Sequence, residues 1–135
     1  MFINKQFVLW LILFWFVYHQ NAIADQCPTV DMIKERKISR KYEWWIDERR
    51  DLDDLLTVEK LYSVRIKEQD KYVACYYSAR GLIIQMDAAP AESECGVIEF
   101  KGQWDAVNDA ERVCNEEDPF ACQFAIYCDE TTKEE

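Results

Sequence analysis

Six cysteines constrain the fold of this 135-residue chain more than any other feature. They are Cys27, Cys75, Cys95, Cys114, Cys122 and Cys128. An even cysteine count in a small exported domain is typical of a disulfide framework, and three bridges would use every thiol. Six cysteines can pair in many ways, so the connectivity stays open, although the loop around Pro119 favours a bridge between Cys114 and Cys122. Cys27 is expected to fix the N-terminal end of the domain.

The N-terminus predicts export. Lys5 supplies a positive charge, residues 7–18 form an unbroken apolar run, and residues 22–24 fit the small-x-small pattern of a cleavage site. The apolar run is shorter than the roughly 20 residues that span a bilayer. We therefore predict a signal peptide over residues 1–24. The remaining residues, 25–135, are predicted to form a single disulfide-stabilised domain, periplasmic or secreted, with no membrane anchor after cleavage.

Charge limits the partners of this domain. Cleavage after residue 24 would remove Lys5 and change the formal net charge from −10 to −11. The excess lies in residues 87–135, which hold 14 acidic and three basic residues. Such a field repels phosphate backbones, so we predict no nucleic-acid binding. A cationic protein would be attracted.

Several kinds of chemistry are excluded by missing residues. Cleavage would also remove His19, the single histidine of the chain, and with it the usual general base of a serine or cysteine hydrolase. The cysteine spacings of 48, 20, 19, 8 and 6 residues contain no Cys-x-x-Cys pair, which argues against zinc and against dithiol redox chemistry. We predict no metal, no cofactor and no catalytic residue, and hence a non-enzymatic role.

The hydrophobic patterns predict an α+β fold, with a small antiparallel sheet and a helix in the C-terminal half. Residues 42–46 (YEWWI) alternate as a strand does. The clearest region is a three-stranded meander over residues 60–87, in which Tyr62, Val64 and Ile66 share one face and Gly81 lies in a turn. A short helix with Pro28 in its first turn is expected at the start of the domain.

The later segments are less regular. Residues 87–95, which contain Pro90, read as a loop, and residues 96–100 (GVIEF) as a further strand. From Asp105 to Cys114 apolar residues recur at helical spacing, with Asp105 as the N-cap. Residues 121–128 (ACQFAIYC) are predicted to form a last strand, with Cys122, Phe124, Ile126 and Cys128 on one face.

Aromatic residues supply the candidate binding surface. Its members are Trp44, Trp45, Tyr72, Tyr76 and Trp104. Large aromatic side chains also fill the cores of small β-rich domains, which is the competing interpretation. Because side chains alternate along a strand, Trp44 and Trp45 cannot both face the core.

Four features resemble a family of small exported bacterial proteins. They are the signal peptide, the start of the domain at residues 27–34 (CPTVDMIK), the central VACYY at 73–77, and a later tryptophan followed by a C…DPFAC segment ending at 122. The resemblance extends over most of residues 27–128. It implies a periplasmic or secreted location, and it implies no activity, cofactor or catalytic residue.

Three functional hypotheses follow. The favoured one is an exported binding module of the bacterial envelope or secreted space that recognises a glycan or a protein, such as a cationic protein. The second is a glycan hydrolase that works with carboxylates alone, for which Glu43, Asp47 and Glu99 are candidates. The third is an accessory subunit of an exported assembly, which would expose a large apolar patch.

Overall fold

The computed structural model describes residues 24–47 and 49–128. The signal peptide predicted over residues 1–24 lies outside these residues, apart from Ala24. The elements in chain order are α1 (Val30–Lys34), β1 (Tyr42–Ile46), α2 (Leu52–Leu55), β2 (Lys60–Lys67), β3 (Tyr72–Ala79), β4 (Leu82–Pro90), β5 (Cys95–Lys101), β6 (Asp105–Asn108), β7 (Glu111–Cys114), a 3₁₀ helix (Pro119–Ala121) and β8 (Gln123–Cys128).

The architecture is a six-stranded antiparallel sheet covered by a two-stranded ribbon. The sheet has the order β1-β4-β3-β2-β7-β6, and the ribbon pairs β5 with β8. The predicted meander is confirmed as β2, β3 and β4, and the predicted strand at 42–46 is confirmed as β1. Strands hold 50% of the residues and helices only 11%, so the fold is mostly antiparallel β and the α+β description holds only loosely.

Local chemistry accounts for the first helix and for one hairpin. Thr29 caps α1, because its hydroxyl accepts a hydrogen bond from the Met32 N–H at 3.1 Å. Pro28 therefore precedes the cap, and is not in the first turn as predicted. The β3–β4 turn holds Arg80 and Gly81 at φ values of 49° and 78°, a conformation that glycine adopts without strain.

The helix predicted from Asp105 is wrong, because these residues form the hairpin of β6 and β7. Asn108 makes the turn, since its side-chain oxygen accepts a hydrogen bond from the Ala110 N–H at 2.8 Å. β7 then pairs with β2, where Val113 lies opposite Arg65. Small apolar residues at this spacing suit a helix or a hairpin, and the pairing with β2 decides between them.

Two further predictions are wrong in detail. Tyr62 does not share a face with Val64, because β2 has a bulge between Leu61 and Ser63 that leaves the Tyr62 side chain 57% exposed. The segment around Pro90 is not a loop from residue 87, because β4 continues to Pro90, which lies opposite Tyr42.

The core lies between the sheet and the ribbon. β5 contacts β2, β3 and β4, so the ribbon covers the centre of one sheet face. Phe124 of β8 is fully buried there, with its ring 5.8 Å from that of Tyr42 in an edge-on arrangement. The N-terminal segment covers the same face, since the buried Tyr77 hydroxyl donates to the Pro28 carbonyl oxygen at 2.6 Å.

Three disulfides join the segments that cover the core. They are Cys27–Cys75, Cys95–Cys128 and Cys114–Cys122. The predicted framework is confirmed, as is the pairing of Cys114 with Cys122. The bridge from Cys27 reaches β3 at the centre of the sheet, so it fixes the N-terminal segment as expected. Three disulfides are compatible with an oxidising compartment outside the cytosol.

Membrane-spanning helices are not found in the part of the chain that the structure describes, where every helix is too short to cross a bilayer.

Candidate functional site

One face of the six-stranded sheet is turned away from the ribbon, and we call it the open face. Residues directly opposite each other on neighbouring strands share a face of the sheet. Trp45 of β1 lies opposite Asp87 of β4, Asp87 lies opposite Ala74 of β3, and Ala74 lies opposite Arg65 of β2. These four residues form a row across the open face, with the smallest side chain in its middle.

Two tyrosines lie on either side of this row along β3. The Tyr72 ring is 5.7 Å from the Trp45 ring, with an angle of 53° between the ring planes. The guanidinium of Arg65 and the ammonium of Lys67 lie 5.7 and 5.6 Å from the centre of the Tyr76 ring. At such distances a cation is attracted to the face of an aromatic ring. The two ends of the open face therefore differ, with an aromatic pair at one end and a tyrosine beneath two cations at the other.

A hollow of about 270 Å³ lies beside the aromatic pair, and we call it the Trp45 hollow. Its lining combines aromatic, aliphatic and polar groups. The lining residues are Trp45, Asp47, Arg50, Ile83, Gln85 and Asp87. The Gln85 side-chain nitrogen donates to an Asp87 oxygen at 2.8 Å, which holds both groups in fixed positions. The lining is more polar than that of a typical small-molecule pocket, with Trp45 and Ile83 as its apolar members.

The two carboxylates of the Trp45 hollow are in different electrostatic environments. Burial raises the pKa of Asp87, and the hydrogen bond from Gln85 and the charge of Lys67 act in the opposite direction. The pKa of Asp47 is lowered by its side-chain hydrogen bonds with Arg49, where the closest nitrogen and oxygen are 3.1 Å apart. The hollow thus contains one carboxyl group whose pKa is raised and one whose pKa is lowered.

The raised pKa of Asp87 predicts that this residue costs stability at neutral pH. A carboxyl group whose pKa is higher in the folded state stabilises the fold while protonated, and this contribution is lost as pH rises through the folded pKa. We expect Asp87→Asn to match the parent protein at about pH 3 and to unfold at a higher temperature than the parent at pH 7, as measured by thermal melts.

Asp47→Asn is the matched control for this prediction, because the pKa shift has the opposite sign. A group with a lowered pKa stabilises the fold while ionised, and this contribution is lost as pH falls through the folded pKa. Asp47→Asn should therefore unfold at a lower temperature than the parent at pH 7. If Asp87→Asn unfolded at a lower temperature than Asp47→Asn at pH 7, the opposite pKa shifts assigned to the two aspartates would be contradicted.

The structure separates the predicted surface into two groups. It brings Trp45, Tyr72 and Tyr76 together on the open face. Trp44 packs against the core on the other face, and its indole N–H donates to the Ser39 carbonyl oxygen at 2.8 Å. Trp104 also packs against the core, with its N–H directed to a carbonyl oxygen at 3.2 Å. Neither of these two tryptophans contributes to the open face.

Gln85 and Asp87 were missed by sequence reasoning. A signal was present, because both alternate with the buried Ile84 and Met86 along β4, which places them on the opposite face. Their position beside Trp45 depends on the pairing of β1 with β4. β2 and β3 lie between β1 and β4 in the chain, and nothing in their sequence indicates that β1 pairs with β4.

A second hollow, of about 330 Å³, lies near the end of the ribbon. Its lining includes Pro90, Ala91, Ile126 and the disulfide Cys95–Cys128, with no aromatic side chain. Glu92 lies close to both cysteines, but sulfur atoms joined in a disulfide are not available as thiolate ligands for a metal. We therefore regard the Trp45 hollow as the better candidate site.

Comparison with known proteins gave no match to a family model, a curated protein or a solved structure. The resemblance to a family of small exported bacterial proteins stays a prediction.

Proposed function

We propose that this protein is an exported binding module that holds a glycan on the open face of its sheet, with Trp45 as the principal contact. The single observation that carries the proposal is the Trp45 hollow. There, a tryptophan that is 43% exposed lies beside a second aromatic ring and beside two hydrogen-bonded polar side chains, Gln85 and Asp87.

Sugars suit this arrangement for chemical reasons. A pyranose ring presents an apolar C–H face, which stacks on an aromatic ring, and a rim of hydroxyl groups, which both donate and accept hydrogen bonds. Asp87 when ionised accepts only, Arg50 donates only, and the amide of Gln85 does both. Trp45 provides the stacking surface, and these three groups are placed around it to meet the hydroxyl rim.

The hollow is of a size that favours a short segment of a glycan. Its volume of about 270 Å³ lies just below the range of about 300–1,000 Å³ typical of small-ligand pockets, so it would take one or two sugar units. The aromatic rings of Tyr72 and Tyr76 extend the surface along β3. A longer glycan would therefore continue over Tyr72 and towards Arg65 and Lys67, which lie at the Tyr76 ring.

A hydrolase is the second candidate function, because of one observation. Asp47 and Asp87 line the same hollow, and their pKa values are displaced in opposite directions. Glycosidases use one protonated and one ionised carboxyl group on either side of the scissile bond. Of the carboxylates predicted from sequence, only Asp47 lines the hollow, while Glu99 pairs with Arg112 at 3.1 Å.

Two other sequence predictions concern partners. The attraction of a cationic protein to the acidic half of the chain stays a prediction. So does the role of accessory subunit, for which the exposed Phe100 and Tyr127 on the ribbon are the nearest candidates for an apolar contact.

A binding assay with matched aromatic variants tests the proposal. The probes are soluble hexasaccharides of the cellulose, chitin and maltose series, titrated by calorimetry. We expect at least one series to bind, and we expect Trp45→Ala to weaken that binding by at least about tenfold, as loss of a central aromatic contact does. Tyr127→Ala removes a 54% exposed aromatic side chain from the ribbon and should leave the affinity unchanged.

The same samples separate binding from hydrolysis. A binding module leaves every hexasaccharide intact, whereas a hydrolase yields shorter products that mass spectrometry detects. In the second case Asp87→Asn should abolish turnover, because asparagine cannot supply the proton. Absence of binding in all three series would contradict both functions.

A further inference from the structure

The outer edge of β1 can form further backbone hydrogen bonds. β1 is the terminal strand of the sheet, and within residues 24–47 and 49–128 it pairs with β4 alone. The Ala91 N–H donates to the Lys41 carbonyl oxygen at 3.3 Å, and residues of an antiparallel pair alternate between bonding inward and outward. Tyr42, Trp44 and Ile46 therefore direct their backbone N–H and C=O groups away from β4.

This edge lacks two of the devices that protect exposed strands, a bulge and a proline. Terminal strands are usually protected by bulges, by prolines or by charges that oppose pairing. β6, at the other end of the sheet, has a bulge between Ala106 and Asn108 and begins with Asp105. β1 pairs with β4 in continuous register over all five residues, and it contains no proline.

We propose that β1 pairs antiparallel with β1 of a second copy of this chain, with Trp44 opposite Trp44 of that copy. Only Tyr42, Trp44 and Ile46 direct their backbone groups outward, so one of these residues must lie opposite another in the second copy. Three registers meet this condition and keep most of the strand paired. These place Trp44 opposite Tyr42, Trp44 or Ile46 of the second copy. Each gives a two-fold symmetric contact, as most homodimers have.

Charge selects one of the three registers. With Trp44 opposite Tyr42, the two copies of Glu43 face each other, and with Trp44 opposite Ile46, Glu43 faces Asp47. Like charges directly opposite each other destabilise a strand pair. With Trp44 opposite Trp44, Glu43 comes opposite Trp45, and Lys41 comes opposite Asp47 twice across the two-fold axis. Lys41 would then exchange its contact with Asp25 for one with Asp47 of the second copy, beside Arg49 of that copy. Only this register opposes unlike charges.

The pairing joins two six-stranded sheets into one of twelve strands. Residues opposite each other share a face, so the open faces of the two copies become continuous. Glu43 of one copy would then lie beside Trp45 of the other, which places the two Trp45 hollows on either side of the axis. This inference does not depend on the proposed function, because the edge would pair whether or not the open face binds a glycan.

Charge reversal tests the register. The protein, expressed from the full 135-residue sequence and recovered from an oxidising compartment, is studied by sedimentation velocity between about 1 and 500 μM. We expect a dimer that Lys41→Asp or Asp47→Lys weakens at least about tenfold, since each variant places like charges opposite each other twice. The double variant Lys41→Asp with Asp47→Lys should restore the dimer to within about threefold of the parent.

Two controls separate the register from net charge and from folding. Lys71→Asp and Asp109→Lys change the same charges at exposed turns outside β1, between β2 and β3 and between β6 and β7, and should leave the dimer unchanged. Lys41 also pairs with Asp25 at 3.5 Å within one copy, so thermal melts of each variant show whether the fold is intact.

Hydrogen exchange gives an independent readout. The amides of Trp44 and Ile46 should become protected as the concentration rises through the dissociation constant. A monomer throughout this range, or a dimer that neither single reversal weakens, would overturn the proposal.

Discussion

Replacing Cys27 and Cys75 together by alanine is expected to destabilise this protein severely. The bridge joins residues 48 apart in sequence. Closing a loop of that length lowers the conformational entropy of the unfolded chain, which adds about 4 kcal/mol to the free energy of unfolding. Both residues are fully buried, so the loss of the sulfur atoms also leaves a void. Urea denaturation under oxidising conditions should therefore show a fall of at least about 4 kcal/mol in the free energy of unfolding, which is much of the stability of a typical small domain.

The pair Cys114 and Cys122 provides the matched control. Both are also fully buried, but they are only 8 residues apart. The expected loss from loop closure is then about 2.5 kcal/mol, roughly 1.5 kcal/mol smaller than for Cys27 and Cys75. Equal losses in the two double variants would mean that packing, and not loop length, determines the contribution of the bridges.

Phe124→Ala is expected to have the second large effect. Phe124 is fully buried between the ribbon and the sheet, against the ring of Tyr42. Truncation of a buried phenylalanine typically costs about 3–5 kcal/mol, because it removes buried apolar area and leaves a cavity. We expect a fall of this size in the free energy of unfolding, measured in urea.

Phe100→Ala is the control for this substitution. Phe100 lies on the neighbouring strand of the same ribbon, but its side chain is 53% exposed. Its truncation should change the free energy of unfolding by no more than about 0.5 kcal/mol, as is usual for surface positions. Similar losses for the two variants would contradict the position of the core between ribbon and sheet.

Local patterns in the sequence predicted much of the sheet. The alternation of residues 42–46 predicts β1 with its bounds, and it also predicts that Trp44 and Trp45 face opposite sides. The meander of β2, β3 and β4 was equally clear, because short turns separate strands whose apolar residues alternate. In these segments the local preference and the tertiary contacts agree.

Where the predictions from sequence were wrong, tertiary contacts determined the local structure. The stretch from Asp105 to Cys114 carries a weak helical period, yet it forms a hairpin because β7 completes the sheet beside β2. The bulge that exposes Tyr62 has no counterpart in the alternation of β2. Both outcomes depend on partners that are distant in sequence.

The candidate site was predicted only in part for a similar reason. Trp45, Tyr72 and Tyr76 were identified because aromatic residues are conspicuous in any sequence. Asp87 was not, since an aspartate at the end of an apolar strand resembles the beginning of a loop. Its role depends on β1, which pairs with β4 across about 40 residues of chain, a separation that no local pattern encodes.

The indole N–H signals of the tryptophans test the central claim most directly. Trp44 and Trp104 direct their indole N–H groups to the carbonyl oxygens of Ser39 and Lys101, away from the open face. Trp45 lines the hollow. In ¹⁵N-labelled protein titrated with the hexasaccharide that binds, the signal of Trp45 should shift progressively while those of Trp44 and Trp104 stay in place. Shifts confined to Trp44 or Trp104, or no shift of Trp45 at saturation, would contradict a binding site on the open face.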